Sequence, residues 1–350
     1  MSIEINNIIN SASTIKQALE QLNNLPTRDS LTLFVIDQTK KLVGTLTDGD
    51  IRRGLLQGKN ITESIDSVMH KQYKYLQRNN FNIEFIDELR AKEIDLIPFV
   101  NENFEIEKII DLSKIKSVLP VDAVIMAGGE GKRLLPLTKD IPKPLLKIGD
   151  KPILEYNIDR LGLFGVDNVY ITLKYQGQQI IDYFNDGSSK NIKIKYTHET
   201  DSLGTIGAVS LINDFVHENV LVMNSDLLTN IDFEDFFKSF YNGKAEMAVA
   251  TIPYLVTLPY GVIESDDNHV KAIKEKPTYT YYSNAGIYLF KKSILKNIPK
   301  NSFFNATDLM QILINENKKI LNYPVLGYWL DIGKHEDYAK AQEDIKHLKF

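Results

Sequence analysis

A glycine-rich loop followed by basic residues is the part of the sequence best suited to chemistry. An apolar, β-branched run at residues 123–126 leads directly into three glycines within residues 128–131, a pattern typical of a buried strand that ends in a tight loop. Glycine lets the backbone approach a ligand closely and turn its N–H groups towards phosphate oxygens. Arg133 and Lys143 add positive charge nearby. These residues predict a polyphosphate substrate.

Two common phosphate-binding loops do not fit the residues around the glycines. A P-loop requires Ser or Thr after its Gly-Lys pair to hold magnesium, whereas Lys132 is followed by Arg133. The dinucleotide-binding fingerprint requires a further glycine shortly after Gly131, where Arg133 and Leu134 stand instead. We interpret Lys132 itself as a solvated surface residue.

The composition limits the classes of function. The chain has 350 residues, which favours two domains. A net charge of −5 argues against a nucleic-acid partner, and no apolar run approaches the roughly 18 residues of a membrane span. There is no cysteine, which excludes disulfides and thiolate metal sites. The first residues lack the basic and apolar regions of an export signal, so we expect a cytoplasmic protein with no membrane partner.

The first 118 residues contain an internal repeat. Strands are predicted at 31–36 and 41–46, with a helix at 50–56. About 64 residues later the pattern returns, with strands at 94–100 and 106–110 and a helical turn from Ser113. Helices at 12–23 and 82–91 precede the two pairs of strands. We therefore predict two copies of one small unit, about 1–60 and 61–118, with a linker at 113–121.

From Val121 onwards, strands and helices alternate. Strands are predicted at 123–126, 169–173, 192–196, 220–223, 247–252 and 285–290. Helices are predicted at 153–163, 178–184, 206–212, 233–241 and 337–347. Such alternation builds a mainly parallel sheet covered by helices on both faces. Ligands bind beyond the carboxyl ends of the strands in such sheets, which is where the glycine loop would lie.

Ordered motifs after the loop indicate a family. They are Leu135-Pro-Leu-Thr138, Lys143-Pro144, Glu199 with Leu203-Gly-Thr-Ile-Gly207, Asn224-Ser-Asp226, Tyr260-Gly261, Glu275-Lys276-Pro277, Asn284-Ala-Gly286 and Trp329-Leu-Asp331-Ile-Gly333. With the loop, this set resembles the nucleotidyltransferases that join a sugar 1-phosphate to a nucleoside triphosphate. The resemblance runs from Val121 to the end and implies an α/β, Rossmann-like nucleotidyltransferase fold over residues 121–350.

Asp226 and Asp331 are candidate metal ligands. Each follows an apolar strand, so the two carboxylates can converge at one edge of a sheet. Carboxylate oxygens suit Mg²⁺, with water and phosphate oxygens completing the octahedron. A single strand-end Asp is more often a cap or turn former, but the resemblance implies that these two hold the ion.

The resemblance also implies roles for other residues. The catalytic set is Arg133, Lys143 and Asp226. The nucleotide-binding set is Ala127, Gly128, Gly129, Gly131, Arg133, Glu199, Gly204 and Thr205. The sugar-phosphate set is Tyr260, Gly261, Glu275, Lys276 and Asn284. The attacking phosphate oxygen is already anionic, so we expect no protein nucleophile or general base, and catalysis by positioning and electrostatics.

The identity of the base depends on Glu199. A carboxylate can accept two hydrogen bonds, which matches the two N–H donors of guanine, whereas thymine and uracil offer one. GTP is therefore favoured, although Ile206 departs from the commoner Ala at this turn. The chain resembles the guanylyltransferases of legionaminic-acid-type synthesis, which implies glucosamine 1-phosphate. Alternatives are a mannose-1-phosphate guanylyltransferase, a glucose-1-phosphate thymidylyl- or uridylyltransferase, and a nucleotide-sensing protein without catalysis.

The N-terminal repeat resembles a tandem cystathionine β-synthase (CBS) module. In adenine-nucleotide binders of that family, residues at the positions of Thr47 and Asp50 hold a ribose, and a hydroxyl with a carboxylate suits a vicinal diol. Asp111 and Lys114 replace them in the second copy. The alternative is a structural or dimerising module that binds nothing. Such modules self-associate, so the resemblance implies a homo-oligomer.

Overall fold

The structure is a computed structural model that describes residues 5–26, 31–77 and 83–348. The chain divides into two compact units, Met1–Val118 and Leu119–Phe350. Each unit has hydrophobic clusters of its own. No helix within the described ranges is long and apolar enough to cross a membrane.

The first unit contains two short sheets with the same topology. Its elements are β1 (Ile8–Asn10), α1 (Ile15–Asn23), β2 (Thr32–Ile36), β3 (Leu42–Thr47), α2 (Asp48–Leu56), β4 (Leu76–Gln77), α3 (Ile83–Ala91), β5 (Leu96–Val100) and β6 (Ile106–Asp111). In each sheet the first strand is parallel to the second and the second is antiparallel to the third. The register shifts at the same place in both copies, at Val35/Ile36 and at Phe99/Val100.

Two predicted helical segments of this unit are present in the structure with different extents. The helix predicted at 82–91 is present as α3, although Asn82 lies outside the described residues. The helical turn predicted from Ser113 is a single closed turn, and no helix follows it up to Pro120. Asp111 explains this, because its carboxylate accepts the Ser113 N–H at 3.1 Å and its carbonyl accepts the Lys114 N–H at 3.2 Å.

The second unit is built around one large sheet. Its elements are β7 (Val121–Ala127), β8 (Lys147–Ile148), β9 (Lys151–Pro152), α4 (Ile153–Leu163), β10 (Asn168–Leu173), α5 (Gly177–Phe184), β11 (Lys193–His198), β12 (Asn219–Asn224), β13 (Leu227–Thr229), α6 (Phe233–Asn242), β14 (Met247–Thr257), β15 (Val262–Asp266), β16 (His269–Lys274), β17 (Thr278–Lys291), α7 (Ala306–Asn315), β18 (Ile320–Pro324), β19 (Trp329–Asp331) and α8 (His335–Asp344).

The strand order in the large sheet is β11-β10-β7-β12-β17-β14-β18. Only β17 runs against the other six strands, so the predicted mainly parallel α/β sheet is confirmed. Strands β7 and β10 are almost wholly buried, as apolar strands covered on both faces should be. The carboxyl ends of β11, β10, β7 and β12 therefore share one edge.

Two of the predicted helices differ from the structure. The helix predicted at 206–212 is a 3₁₀ helix at Gly207–Leu211, because the N–H groups of Ile206 and Gly207 both donate to the distant Phe304 carbonyl. The helix predicted at 337–347 begins earlier, at His335, because the Asp337 carboxylate accepts the Lys334 N–H at 3.0 Å. An N3 carboxylate of this kind fixes the start of a helix.

Candidate active site

A cleft of about 400 Å³ opens at the edge where β7, β10 and β12 end. It brings together most of the predicted phosphate-binding residues. Its lining residues are Met126, Gly128, Gly129, Glu130, Gly131, Lys132, Arg133, Lys143, Pro144, Lys174, Ser202, Asn224, Ser225, Asp226 and Gly333.

The glycine loop folds tightly onto the segment that carries Lys143. Gly131 has φ +65°, and a Cβ on it would lie 3.0 Å from Thr138 and 3.1 Å from the Cβ of Lys143. The Thr138 hydroxyl also donates to the Gly131 carbonyl at 2.9 Å. Only glycine meets both the backbone angle and the close approach, so this residue sets the distance between the loop and Lys143.

Lys143 forms an ion pair with Asp226, and both residues line the cleft. Lys143 begins a 3₁₀ turn, Lys143–Leu145, and is flanked by Pro142 and Pro144. Its side chain is only 10% exposed and that of Asp226 is 21% exposed. A buried ammonium needs a partner of opposite charge, so the two side chains hold each other in place.

Asp331 lies beside Asp226 because of a short two-stranded ladder outside the large sheet. Strand β13 pairs antiparallel with β19, which sets Leu227 opposite Asp331. The Ile332 N–H donates to the Asp226 carbonyl at 3.0 Å. The two acids are thus fixed through their backbones.

The pair of acids fits a hard divalent cation. Burial, and then the charge of Asp226, raises the pKa of Asp331, and the charges of Lys143 and Arg133 oppose this shift. One buried oxygen of each carboxylate, Oδ1, has no hydrogen-bond partner among the described residues. Within those residues no group of three or more His, Cys, Asp or Glu side chains could hold a metal, so a cation here would need phosphate or water oxygens as further ligands.

Arg133 lies near the same acids and lines the cleft. Its guanidinium is close to Gly333, 3.6 Å from where a Cβ would be, and its charge reaches Asp331. The residue is exposed. The planar guanidinium can donate two parallel hydrogen bonds to phosphate oxygens from this position.

Glu199 is buried against the glycine loop. Its N–H donates to the Leu173 carbonyl at 2.8 Å, and its Oε1 lies 2.7 Å from where a Cβ on Gly128 would be. Burial raises the pKa of the carboxyl, while hydrogen bonds from Thr172 and Leu203 oppose the shift. Ala127, the last residue of β7, is buried and precedes this contact.

The Gly204-Thr205 turn is tied to the start of α7. The Thr205 N–H donates to Asn305 Oδ1 at 3.2 Å, and its hydroxyl accepts the Ala306 N–H at 2.9 Å. The Thr205 side chain is thus engaged with the protein, and neither residue of the turn lines the cleft.

The predicted sugar-phosphate residues do not line the cleft. They are Tyr260, Gly261, Glu275, Lys276 and Asn284. All but Asn284 lie on the exposed arm formed beyond the sheet by β14, β15, β16 and β17, where Gly261 faces the Glu275 carboxylate. Asn284 is nearer to the cleft, because the adjoining Gly286 lies against the cleft residue Asn224. Its amide is engaged, donating to the Tyr288 hydroxyl at 2.8 Å.

Thr47 and Asp50, in the first unit, bind each other. The Thr47 hydroxyl and N–H both donate to Asp50 Oδ2, at 2.7 and 2.9 Å, and the Asp50 N–H donates back to the hydroxyl at 3.2 Å. This is a capping box at the start of α2. Arg53 pairs with the remaining oxygen of Asp50 at 2.6 Å.

Lys174 and Ser202 line the cleft but were not among the predicted site residues. Lys174 directly follows the strand predicted at 169–173, so the rule that located Asp226 could also have found it. Ser202 lies in a loop without periodicity, and nothing in the sequence distinguishes it.

Residues 122–347 match the family model of the nucleotidyl transferases. The fold and the cleft define the same class, since both place a glycine loop and two acids at the edge of a mainly parallel sheet. The chain belongs to the nucleotidyl transferase family.

Relatives of this chain align with about two thirds of its length. The bifunctional protein GlmU of Methanocaldococcus jannaschii is 35% identical over 231 residues, which cover 64% of this chain and 54% of that protein. This chain thus spans about half of that relative. The D-glycero-α-D-manno-heptose 1-phosphate guanylyltransferase of Aneurinibacillus thermoaerophilus is 31% identical over 231 residues, covering 65% of this chain and 99% of that protein. The crystal structure of HddC from Yersinia pseudotuberculosis superposes with a TM-score of 0.51 at 30% identity, covering 64% of this chain and 99% of that one.

Proposed function

We propose that residues 121–350 transfer a nucleotidyl group from an NTP, with GTP preferred, to a hexose 1-phosphate, with glucosamine 1-phosphate the favoured acceptor. The products are an NDP-sugar and pyrophosphate. The proposal rests on one observation: Lys143, Asp226 and Asp331 lie together beside the glycine loop. The heptose 1-phosphate guanylyltransferase among the relatives supports the reaction class and the base.

In the proposed reaction a sugar-phosphate oxygen attacks the α-phosphorus, and the bond from that phosphorus to the bridging oxygen of pyrophosphate breaks. Mg²⁺, held by Asp226 and Asp331, would supply charge neutralisation at the reacting phosphates. Arg133 and the glycine loop bind the phosphates that leave, and Lys143 holds Asp226 in position. Glu199 binds the base. The residues on the arm and Asn284 would bind the sugar phosphate.

The test is pyrophosphate release from each of the four common NTPs with mannose, glucose, glucosamine and N-acetylglucosamine 1-phosphates and magnesium. We expect GTP with glucosamine 1-phosphate to react fastest and Asp226→Ala to abolish turnover. Preference for dTTP or UTP with glucose 1-phosphate would favour the thymidylyl- or uridylyltransferase alternative. If no combination of NTP and sugar 1-phosphate is turned over, the proposal is contradicted. The remaining alternative is then a protein that only senses nucleotides.

We propose further that residues 1–118 form a tandem CBS module that binds adenine nucleotide at Thr47 and Asp50 and regulates the enzyme. The repeated topology of the two sheets supports this proposal. Calorimetry with AMP and ATP on the full chain tests it. Thr14→Val is a matched control for Thr47→Val, because Thr14 and Gln17 form the same capping box at α1. No heat with either nucleotide, or equal loss in both variants, would leave only a scaffold role, for which light scattering would report the expected homo-oligomer.

A further inference from the structure

Three residues leave adjacent parallel strands at the same level. Ala127 pairs in register with Leu173, and Leu173 pairs in register with His198. The next residue on each strand is Gly128, Lys174 or Glu199. Neighbouring strands lie about 4.8 Å apart, so Lys174 emerges between the glycine loop and Glu199.

The ammonium of Lys174 is available to bind a ligand. Lys174 is half-buried and lines the cleft. Among the residues that the structure describes, none forms a hydrogen bond or an ion pair with its side chain. Its charge reaches Glu130 and Glu199, but Glu130 is paired with Lys132 at 2.8 Å. A half-buried cation without a partner, directed at a cleft, is suited to binding a ligand acceptor.

The order of the strands places Lys174 away from the phosphate end. Along the edge of the sheet Glu199 comes first, then Lys174, then the glycine loop and last Asp226, which follows β12. A nucleotide with its phosphates at the loop and Asp226 would therefore have its base at the ends of β10 and β11.

We infer that Lys174 is a specificity-determining residue that donates a hydrogen bond to the exocyclic oxygen of the base, while Glu199 accepts the adjacent ring N–H. Guanine, uracil and thymine present a carbonyl beside a ring N–H. Adenine and cytosine present an amino group beside a ring acceptor, which would face the cation and the carboxylate unfavourably. The pair thus selects oxo bases. This inference rests on the proposed function, because it requires that the cleft binds a nucleotide.

The experiment measures nucleotide binding by calorimetry without sugar phosphate, for the wild type and Lys174→Met. GTP is compared with 6-thio-GTP, which keeps the ring N–H but offers a poor acceptor at position 6. The wild type should prefer GTP by about tenfold or more, as for a hydrogen bond to a charged group, and the variant should bind the two almost equally. Lys174→Gln keeps a neutral donor, so its preference for GTP should lie between those of the wild type and Lys174→Met.

Lys193→Met is the matched control, because Lys193 is exposed at the opposite, amino end of β11. It should leave the preference for GTP unchanged. Equal weakening of GTP and 6-thio-GTP in Lys174→Met, or no change in either, would overturn the inference. So would a wild type that binds no NTP. The protein could also bind GTP with the expected selectivity but transfer nothing to any sugar phosphate. That result would refute the proposed function and would still support the role of Lys174.

Discussion

The carbonyl of Asp226 accepts the N–H of Ile332 at 3.0 Å, so the acid after β12 is bonded to the residue that follows Asp331. The carboxylates therefore meet through main-chain pairing, although about a hundred residues separate them. Like charges this close repel each other. The ladder of β13 and β19 fixes their backbones, and the positive charge of Lys143 opposes the repulsion.

Breaking the ion pair of Lys143 and Asp226 should cost both stability and activity. Asp226→Asn leaves a buried ammonium without its partner, which costs about 3–5 kcal/mol. Lys143→Met combined with Asp226→Leu should recover most of that free energy but no pyrophosphate release. Urea unfolding and turnover measure the two effects.

The control for this pair is Asp266→Asn, which breaks the ion pair of Asp266 with Lys271, whose side chains are 62% and 63% exposed. Its effect should stay within about 1 kcal/mol. A loss of similar size in Asp226→Asn and Asp266→Asn would show that the cleft pair is solvated.

Asp331→Asn should stabilise the metal-free protein near neutral pH. The pKa of Asp331 is raised on folding, so its ionised form costs stability above the folded pKa, and this cost disappears below the unfolded pKa, where both states are protonated. The melting temperature of the variant should exceed that of the wild type at pH 7 in a chelator. Added magnesium should reduce or reverse this difference in melting temperature between the variant and the wild type. A variant less stable in chelator would contradict the raised pKa.

Nucleotide binding should weaken on acidification because of Glu199. Its pKa is raised by burial, so the carboxylate, which we propose accepts hydrogen bonds from the base, is lost as pH falls through a value above the ordinary one for Glu. Glu199→Gln should bind GTP more weakly at neutral pH and should lose this acid limb. The measurement is titration of both proteins with GTP at several pH values. Protonation of the phosphates affects both proteins equally, so it cancels when their affinities are compared. The same acid limb in both proteins would exclude Glu199 as its source.

Gly128→Ala should displace the Glu199 carboxylate. The new Cβ would lie 2.7 Å from a buried oxygen, and overpacking of this kind costs about 1–3 kcal/mol. GTP affinity should fall as well. Gly129→Ala is the control for stability, since a Cβ on Gly129 meets nothing within 4 Å. Equal unfolding free energies for the two variants would show that Glu199 moves aside freely.

The sequence predicted the strands and helices that carry the glycine-loop end of the cleft. The helix predicted at 153–163 is confirmed with the same bounds, and the strand predicted at 169–173 is extended by one residue at its start. Both are long apolar segments with clear periodicity or β-branching. The alternation of such segments was sufficient to place residues 128–131 and Asp226 at one edge.

Other features depend on partners distant in the sequence. Strands β13 and β19 have three residues each, too few for a periodic pattern. The arm beyond Thr251 is exposed on both faces, so its hairpin β15–β16 shows no alternation of buried and exposed residues. Thr205 has the type and the position of a ligand-binding residue, yet its hydroxyl is bonded to Ala306 across a hundred positions.

The late position of Asp331 has a consequence for how the protein matures during translation. A nascent chain that has emerged only as far as Pro324 already contains every strand of the large sheet and the glycine loop. It still lacks the second acid, because β19 has not yet been made. The ribosome therefore synthesises the second acid, and Gly333 after it, only once the strands that frame the cleft have been made.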